Sequence, residues 1–118
     1  MKLAFIGCGN MGGAILDGIL SANIVNNEDI KVCVAREESA KRIKEERNVY
    51  TTLDKKDAVR DADAIIMAVK PFKFEEVIAE IKEECKDKLF ISVAAGVTIE
   101  KMMEMMQCDH LHVVRTMP

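Results

Sequence analysis

Short hydrophobic segments recur along the chain and are separated by polar stretches. They comprise residues 3–6, 30–35, 49–52, 64–69, 89–95 and 111–114. Most of them are continuous rather than alternating in polarity, which is typical of strands buried on both faces of a parallel sheet. The pattern therefore predicts six parallel strands.

Segments with helical periodicity lie between these strands. One predicted helix starts at about Asn10 and buries Ala14, Ile15, Gly18, Ile19 and Ala22. A second, after Pro71, buries Phe74, Val77, Ile78, Ile81 and Cys85. Weaker helices are predicted at 39–47, which is exposed apart from Ala40 and Ile43, and at 55–60 and 99–106. Alternating strands and helices predict a doubly wound α/β domain.

Each predicted strand is followed by residues that break the apolar pattern. Examples are "GCGNMG" after the first strand, "REES" after the second and "KP" after the fourth. In a parallel sheet these endings share the carboxyl edge, where ligands bind beside the point at which the strand order reverses. With the predicted order 3-2-1-4-5-6, the glycine-rich turn lies at the centre of one site along this edge.

The glycine-rich turn at 7–12 matches G-x-G-x-x-G between a predicted strand and a predicted helix. This context favours a dinucleotide-binding turn over a purely structural one. Gly7 permits the tight turn, Gly9 lets a pyrophosphate approach the backbone, and Gly12 lets the helix pack closely on the sheet. The free backbone N–H groups and the helix dipole at the start of this helix also favour binding of the pyrophosphate anion. We therefore expect a Rossmann-like domain with a six-stranded parallel sheet.

The end of the second strand bears on the choice of cofactor. Domains that bind NAD usually carry an acidic residue there, whereas NADP-binding domains carry a cation. This chain has Ala35 at that point, followed by Arg36. A guanidinium matches a 2′-phosphate in geometry and charge, so the sequence predicts NADP(H), with NADPH preferred over NADH. The alternative is a solvated surface arginine.

Composition narrows the class of protein. A length of 118 residues suits one domain, and a net charge of −3 gives no electrostatic reason to expect nucleic acid or an anionic membrane as partner. The four cysteines form no C-x-x-C pair, which indicates a reducing, cytoplasmic setting. His110 and His112 alternate near the last predicted strand, but no Cys or carboxylate stands at zinc-like spacing from both, so no metal site is predicted.

Four segments together resemble the amino-terminal half of pyrroline-5-carboxylate reductase. They are "FIGCGNMGGAIL" (5–16), "DADAIIMAVKP" (61–71), "ISVAAGVTIE" (91–100) and "VVRTMP" (113–118). The resemblance implies an oxidoreductase of proline biosynthesis that passes hydride from NADPH to the C=N bond of a cyclic imine, 1-pyrroline-5-carboxylate. It also implies a homo-oligomer, formed through a carboxy-terminal helical domain that carries most substrate contacts and is absent from residues 1–118.

The resemblance also implies positions for the cofactor. Arg36 would meet the adenosine ribose or its phosphate, and Lys55, where the family often has asparagine, could also reach a phosphate. The pyrophosphate would be wrapped by Ile6, Gly7, Cys8, Gly9, Asn10 and Met11. The ribose and nicotinamide would lie along Ala68, Val69, Lys70, Pro71, Val93, Ala94 and Ala95. No general acid is recognisable, so no catalytic residue is predicted.

Two other functions fit the same cofactor site. One is a module that senses NADP(H) without turnover. The other is a β-hydroxyacid dehydrogenase-like oxidoreductase, although the ending "VVRTMP" is not expected in that class. A reactive thiol at Cys8, beside the helix start, is a further alternative. We favour a residue that supplies only its backbone to the turn, because no histidine lies near Cys8 in the sequence.

Overall fold

The computed structural model describes residues 2–8, 10–85, 88–92, 100–101, 104 and 112–115, with the backbone alone at 10, 11, 71, 85 and 112–115. The strands are β1 (Leu3–Ile6), β2 (Ile30–Cys33), β3 (Tyr50–Thr52), β4 (Ala64–Met67), β5 (Leu89–Ser92) and β6 (His112–Arg115). The helices are α1 (Asn10–Ser21), α2 (Glu37–Arg47), α3 (Lys55–Val59) and α4 (Phe74–Cys85). Short 3-10 turns occupy Asn27–Asp29 and Pro71–Lys73.

The strands form one sheet in the order β3-β2-β1-β4-β5-β6, and every neighbouring pair is parallel. The last residue of β1, Ile6, lies opposite Cys33 on one side and Met67 on the other. The chain therefore moves outward from β1 to β3 and then crosses to β4. This reversal places the turn after β1 at the point where ligands bind in open α/β sheets. The predicted α/β fold with a parallel sheet is confirmed.

Apolar side chains pack on both faces of the sheet. One cluster joins Phe5 and Ile66 to Leu16 of α1 and Ile43 of α2. The opposite cluster joins alternate strand residues to α3 and α4, and its fully buried members include Ile6, Ile65, Met67, Phe74 and Ile78. Because both faces are covered, the central strands β1 and β4 are apolar and buried at every position, which explains their continuous hydrophobic pattern.

The predicted apolar face of the helix after Pro71 is confirmed in α4, where Phe74, Val77, Ile78 and Ile81 are buried. The side chain of Cys85 lies outside the described residues. The predicted exposure of α2 is also confirmed, since Ile43 is its buried residue and Ala40 is half-buried. At the start of α3, the Asp54 carboxylate accepts a hydrogen bond from the Lys56 backbone N–H at 3.0 Å, which caps the helix.

The predicted buried face of α1 is only partly right because, of its members, only Ile15 and Ile19 pack against the apolar core. Ala14, Gly18 and Ala22 are exposed, and Ile15 and Ile19 are half-buried. The fully buried side chain is Leu16, which stands four residues after Gly12 and so lies on the same face of the helix. A Cβ atom at Gly12 would lie 2.9 Å from the Cβ atom of Ala68. Helix α1 therefore contacts the end of β4 through the side that carries Gly12, and Leu16 packs in the core one turn later.

Several apolar runs extend beyond the strands that they predicted. β2 ends at Cys33 and β4 at Met67, although the runs continue through Ala35 and Val69. Val34, Ala35 and Val69 stay apolar because they line a cleft at the carboxyl edge. Of the predicted helix 99–106, the described residues 100, 101 and 104 are helical, and the others lie outside the described part. No helix in the described part of the chain is long and apolar enough to span a membrane.

Candidate coenzyme site

The turn after β1 has a backbone that favours glycine at its first position. Gly7 has a φ of 86°, and its N–H donates to the carbonyl of Cys33 at 2.8 Å. A Cβ atom there would lie 2.9 Å from both the Ala68 carbonyl oxygen and the Cγ1 atom of Val69. Such distances are too short for any side chain, so the chain can turn beside β4 only with glycine at this point.

The helix that follows is held close to the end of β4 by Gly12, as described above. Its first residues, Asn10 and Met11, are described by their backbone, and Gly9 lies outside the described residues. The first backbone N–H groups of a helix have no partner within the helix and form an anion-binding end. The structure thus brings such an end to the centre of the carboxyl edge.

A cleft of about 260 Å³ opens beside this turn. It collects residues from the ends of β1 to β4 and from α4. Its lining comprises Ile6, Gly7, Cys33, Val34, Ala35, Leu53, Lys55, Val69, Lys73, Glu76 and Val77. A mostly apolar lining with three charged residues, Lys55, Lys73 and Glu76, is typical of a cofactor site. Four of the predicted site residues, namely Ile6, Gly7, Lys55 and Val69, therefore share one concave surface.

The remaining predicted residues have different surroundings. Arg36 directly follows the cleft residue Ala35, has an extended backbone and is exposed. Its guanidinium has no ion pair or hydrogen bond with the residues that the structure describes. Ala68 is half-buried against the glycine turn and Lys70 is exposed, whereas Pro71 is described by its backbone. Val93, Ala94 and Ala95 lie outside the described residues.

Lys55 makes a contact that the sequence did not predict. Its Nζ atom lies 3.3 Å from Oε2 of Glu80, in the middle of α4. Seven lining residues were not predicted as site residues, namely Cys33, Val34, Ala35, Leu53, Lys73, Glu76 and Val77. In the sequence, Leu53 stood out as a hydrophobic residue directly after a strand. In the structure this residue is 43% exposed. The α4 residues Glu76 and Val77 carried no such signal in the sequence, because their place at the cleft depends on how the helix packs.

Both described thiols are held in their protonated form. Burial raises the pKa of Cys33, at the end of β2, to about 11, although the nearby Lys55 opposes this effect. Burial also raises the pKa of Cys8, and the attraction of Arg47 only partly offsets it. A raised pKa disfavours the thiolate, which is the nucleophilic form. The raised pKa therefore argues against the reactive-thiol alternative for Cys8.

A bidentate ion pair fixes α1 against α2 next to the glycine turn. Nε of Arg47 donates to Oδ1 of Asp17 at 2.7 Å, and Nη2 donates to Oδ2 at 3.2 Å. The hydrogen bond to Arg47 lowers the pKa of Asp17, so this carboxylate stays ionised. Within the described ranges, no group of three or more His, Cys, Asp or Glu residues could hold a metal ion.

The parallel sheet, the glycine turn and the edge cleft define a Rossmann-like α/β protein. Residues 2–96 match the family model described as "NADP oxidoreductase coenzyme F420-dependent". Because this match covers most of the chain, the chain belongs to that family. The comparisons with individual proteins confirm the resemblance to pyrroline-5-carboxylate reductase.

The chain is 35% identical to the pyrroline-5-carboxylate reductase of Methanosarcina acetivorans over 99% of its own length and 43% of that protein. Its structure is similar to that of the Coxiella burnetii pyrroline-5-carboxylate reductase, with a TM-score of 0.90 and 33% identity over 99% of this chain and 43% of the other. It also resembles a Plasmodium falciparum pyrroline carboxylate reductase with NADP bound, with a TM-score of 0.84 and 30% identity over 98% and 41%. The chain thus spans less than half the length of these relatives.

Proposed function

We propose that this chain is the coenzyme-binding domain of an NADPH-dependent reductase that converts 1-pyrroline-5-carboxylate to L-proline. The observation that carries the proposal is the similarity to pyrroline-5-carboxylate reductases, which extends over 99% of the chain in sequence and in structure. The NADP bound to the Plasmodium falciparum relative supports the choice of cofactor. NADPH is the preferred cofactor in this proposal, with NADH possible.

The geometry of the carboxyl edge fits a dinucleotide. In the proposed complex, the turn at 6–11 holds the pyrophosphate, the cleft holds the adenosine half, and Arg36 and Lys55 meet the ribose phosphate. Residues 68–71 and 93–95 follow the ribose and nicotinamide. The scaffold is a doubly wound, six-stranded sheet, which is supported by the pairing of β5 with β6 and by apolar clusters on both faces.

When bound, the nicotinamide supplies the hydride, and the residues of this chain bind and orient the cofactor and exclude water from it. No residue of the described part is assigned a catalytic role. We assign imine binding and the contacts of a homo-oligomer to a helical domain outside residues 1–118, because the relatives are more than twice as long as the matched region. We propose no nucleic-acid or membrane partner. The unbridged thiols of Cys8 and Cys33 support a cytoplasmic setting.

One experiment separates this function from the two alternatives. The product of the reading frame that encodes this chain is incubated with NADPH and pyrroline-5-carboxylate, and NADPH oxidation and proline formation are followed together. We expect stoichiometric consumption of NADPH and formation of proline. Binding of NADPH without turnover would instead support a sensing module. Oxidation of 3-hydroxy acids with NADP but no reaction with the imine would support the dehydrogenase class.

A further inference from the structure

The loops that follow β2 and β3 leave the sheet at the same level. Cys33 is paired with Thr52 at the ends of these strands, and the Val34 N–H donates to the Thr52 carbonyl at 3.1 Å. Arg36 follows Cys33 by three residues, and Lys55 follows Thr52 by three residues. The register thus brings the N-cap of α2, Arg36, and the first residue of α3, Lys55, to the same edge of the sheet.

The two cations differ in their surroundings. Arg36 is exposed and unpaired within the described residues, whereas Lys55 is held by Glu80 at 3.3 Å. The side chains of Lys55 and Glu80 are 29% and 47% exposed. The ion pair therefore lies at the rim of the apolar contact between α3 and α4. An exposed ion pair of this kind is weak enough for an incoming phosphate to compete with it.

The geometry points to Lys55 as a second cation for the 2′-phosphate of NADPH and to Glu80 as the residue that limits its availability. This inference rests on the proposed function and deepens it by naming a determinant of cofactor preference. In the free protein, Glu80 neutralises the ammonium group. When NADPH binds, the ammonium group shifts toward the phosphate and gives up part of its contact with Glu80. Glu80 is thus a positioning residue that lowers the affinity for NADPH.

The test measures NADPH and NADH dissociation constants by cofactor fluorescence on the complete protein product. Replacing Glu80 by Gln should tighten NADPH binding about threefold, the scale of an exposed ion pair, and leave NADH binding unchanged. Replacing Lys55 by Gln should weaken NADPH binding about tenfold, because a charge-assisted phosphate contact is lost. The matched control is Glu75→Gln, which removes the same charge from an exposed position of α4 that does not line the cleft.

The double variant Lys55→Gln/Glu80→Gln separates positioning from simple repulsion. If Glu80 acts through Lys55, the tightening caused by Glu80→Gln should disappear when Lys55 is absent. If the tightening persists there, Glu80 acts by repelling the phosphate directly and the inference is wrong. It is equally wrong if both single variants lower the melting temperature while the ratio of NADPH to NADH affinity stays constant, because the ion pair is then only structural.

The inference and the proposed function fail in different ways. If the unmodified protein binds neither NADPH nor NADH, the proposed function is wrong and the inference falls with it. If the unmodified protein binds NADPH but Lys55→Gln leaves its affinity unchanged, the inference alone is wrong. Melting temperatures of all variants, measured without cofactor, establish that each one is folded.

Discussion

Arg36 is the residue at which we expect NADPH to be distinguished from NADH. It follows the cleft residue Ala35, is exposed, and has no ion pair with the described residues. The Arg36→Asp variant replaces an attraction for the 2′-phosphate by a repulsion. It should weaken NADPH binding by about 1.5–3 kcal/mol, which is the scale of a hydrogen bond to a charged group. Fluorescence titration with both cofactors measures the change, and NADH affinity should be nearly constant.

The matched control for this variant is Arg60→Asp. Arg60 is also exposed, but it follows the end of α3, at the side of the sheet away from the cleft. The control makes the same change in net charge and should leave both affinities nearly unchanged. Equal affinities of the unmodified protein for NADPH and NADH would show that Arg36 is an ordinary surface arginine.

Cys33 should make the stability of the protein depend on pH in the alkaline range. Its pKa is raised from 9.0 to about 11 because burial disfavours the thiolate. The unfolded chain therefore loses this proton at a lower pH than the folded chain. The stabilising effect is complete below pH 9 and is lost as the pH rises toward about 11. The loss can reach about 1.4 kcal/mol per pH unit.

Urea unfolding of the unmodified protein and of Cys33→Ala tests this prediction at several pH values in that range. The difference in unfolding free energy between the two proteins should shrink as the pH rises. All other titrating groups, Cys8 included, are common to both proteins and cancel. Two curves that remain parallel from pH 9 to about 11 would show that Cys33 does not titrate as its burial implies.

Individual residues differ in how far their surroundings can be predicted from sequence. Gly7 was predictable because a turn between a strand and a helix requires a particular backbone, and its φ of 86° agrees. The position of Arg36 beyond the carboxyl end of β2 was predictable because it directly follows the apolar run 30–35. The contact between Lys55 and Glu80 was not, because these residues are 25 positions apart and their distance depends on how α3 packs against α4.

At the scale of elements, hydrophobic patterns predicted where helices and strands occur better than how each is oriented. Continuous runs located the strands because a doubly covered strand is apolar at every position. The face of α1 was predicted only in part because glycine has no side chain and adds little to an apolar pattern. In the structure, the glycine side is the side in contact, at Gly12 against Ala68. The predicted strands extended too far because the cleft residues that follow the strands are also apolar.

The close contact between α1 and the end of β4 should be essential for cofactor binding. A Cβ atom at Gly12 would lie 2.9 Å from the Cβ atom of Ala68, and neither atom can rotate away. The Gly12→Ala variant should therefore displace the start of α1. We expect a loss of about 1–3 kcal/mol in stability, typical of overpacking, together with weaker NADPH binding. Thermal unfolding and fluorescence titration measure the two effects.

The neighbouring Gly13→Ala variant is the matched control. Its Cβ atom would meet only Nη2 of Arg47, at 3.3 Å, and this side-chain end needs to give only slightly while Nε of Arg47 keeps its 2.7 Å hydrogen bond to Asp17. The same change within a helix should here be neutral or slightly stabilising, since alanine favours a helix over glycine. If both variants lose stability and affinity equally, the contact with Ala68 is not the feature that places the helix.

At the scale of the whole molecule, the location of the cleft at the carboxyl edge could be predicted, whereas its shape could not. Parallel strands end at one edge, so the interruptions after each apolar run had to lie together in space. The cleft of about 260 Å³ arises from the packing of α4 over the ends of β1 to β4, which no local pattern encodes. The comparisons add a further observation about size. The chain spans only about 43% of the length of its relative from Methanosarcina acetivorans.

The 118 residues alone should therefore bind NADPH and yet fail to reduce pyrroline-5-carboxylate at a useful rate. Binding requires the glycine turn, the cleft and Arg36, which all lie within these residues. Hydride transfer also requires the imine carbon to be held about 3–3.5 Å from the nicotinamide, and such positioning can supply many orders of magnitude in rate. No described residue is assigned that task. Steady-state NADPH oxidation by the isolated 118 residues, with and without the imine, tests the division. Rapid imine-dependent oxidation would place the substrate site within these residues and refute the assignment of imine binding to another domain.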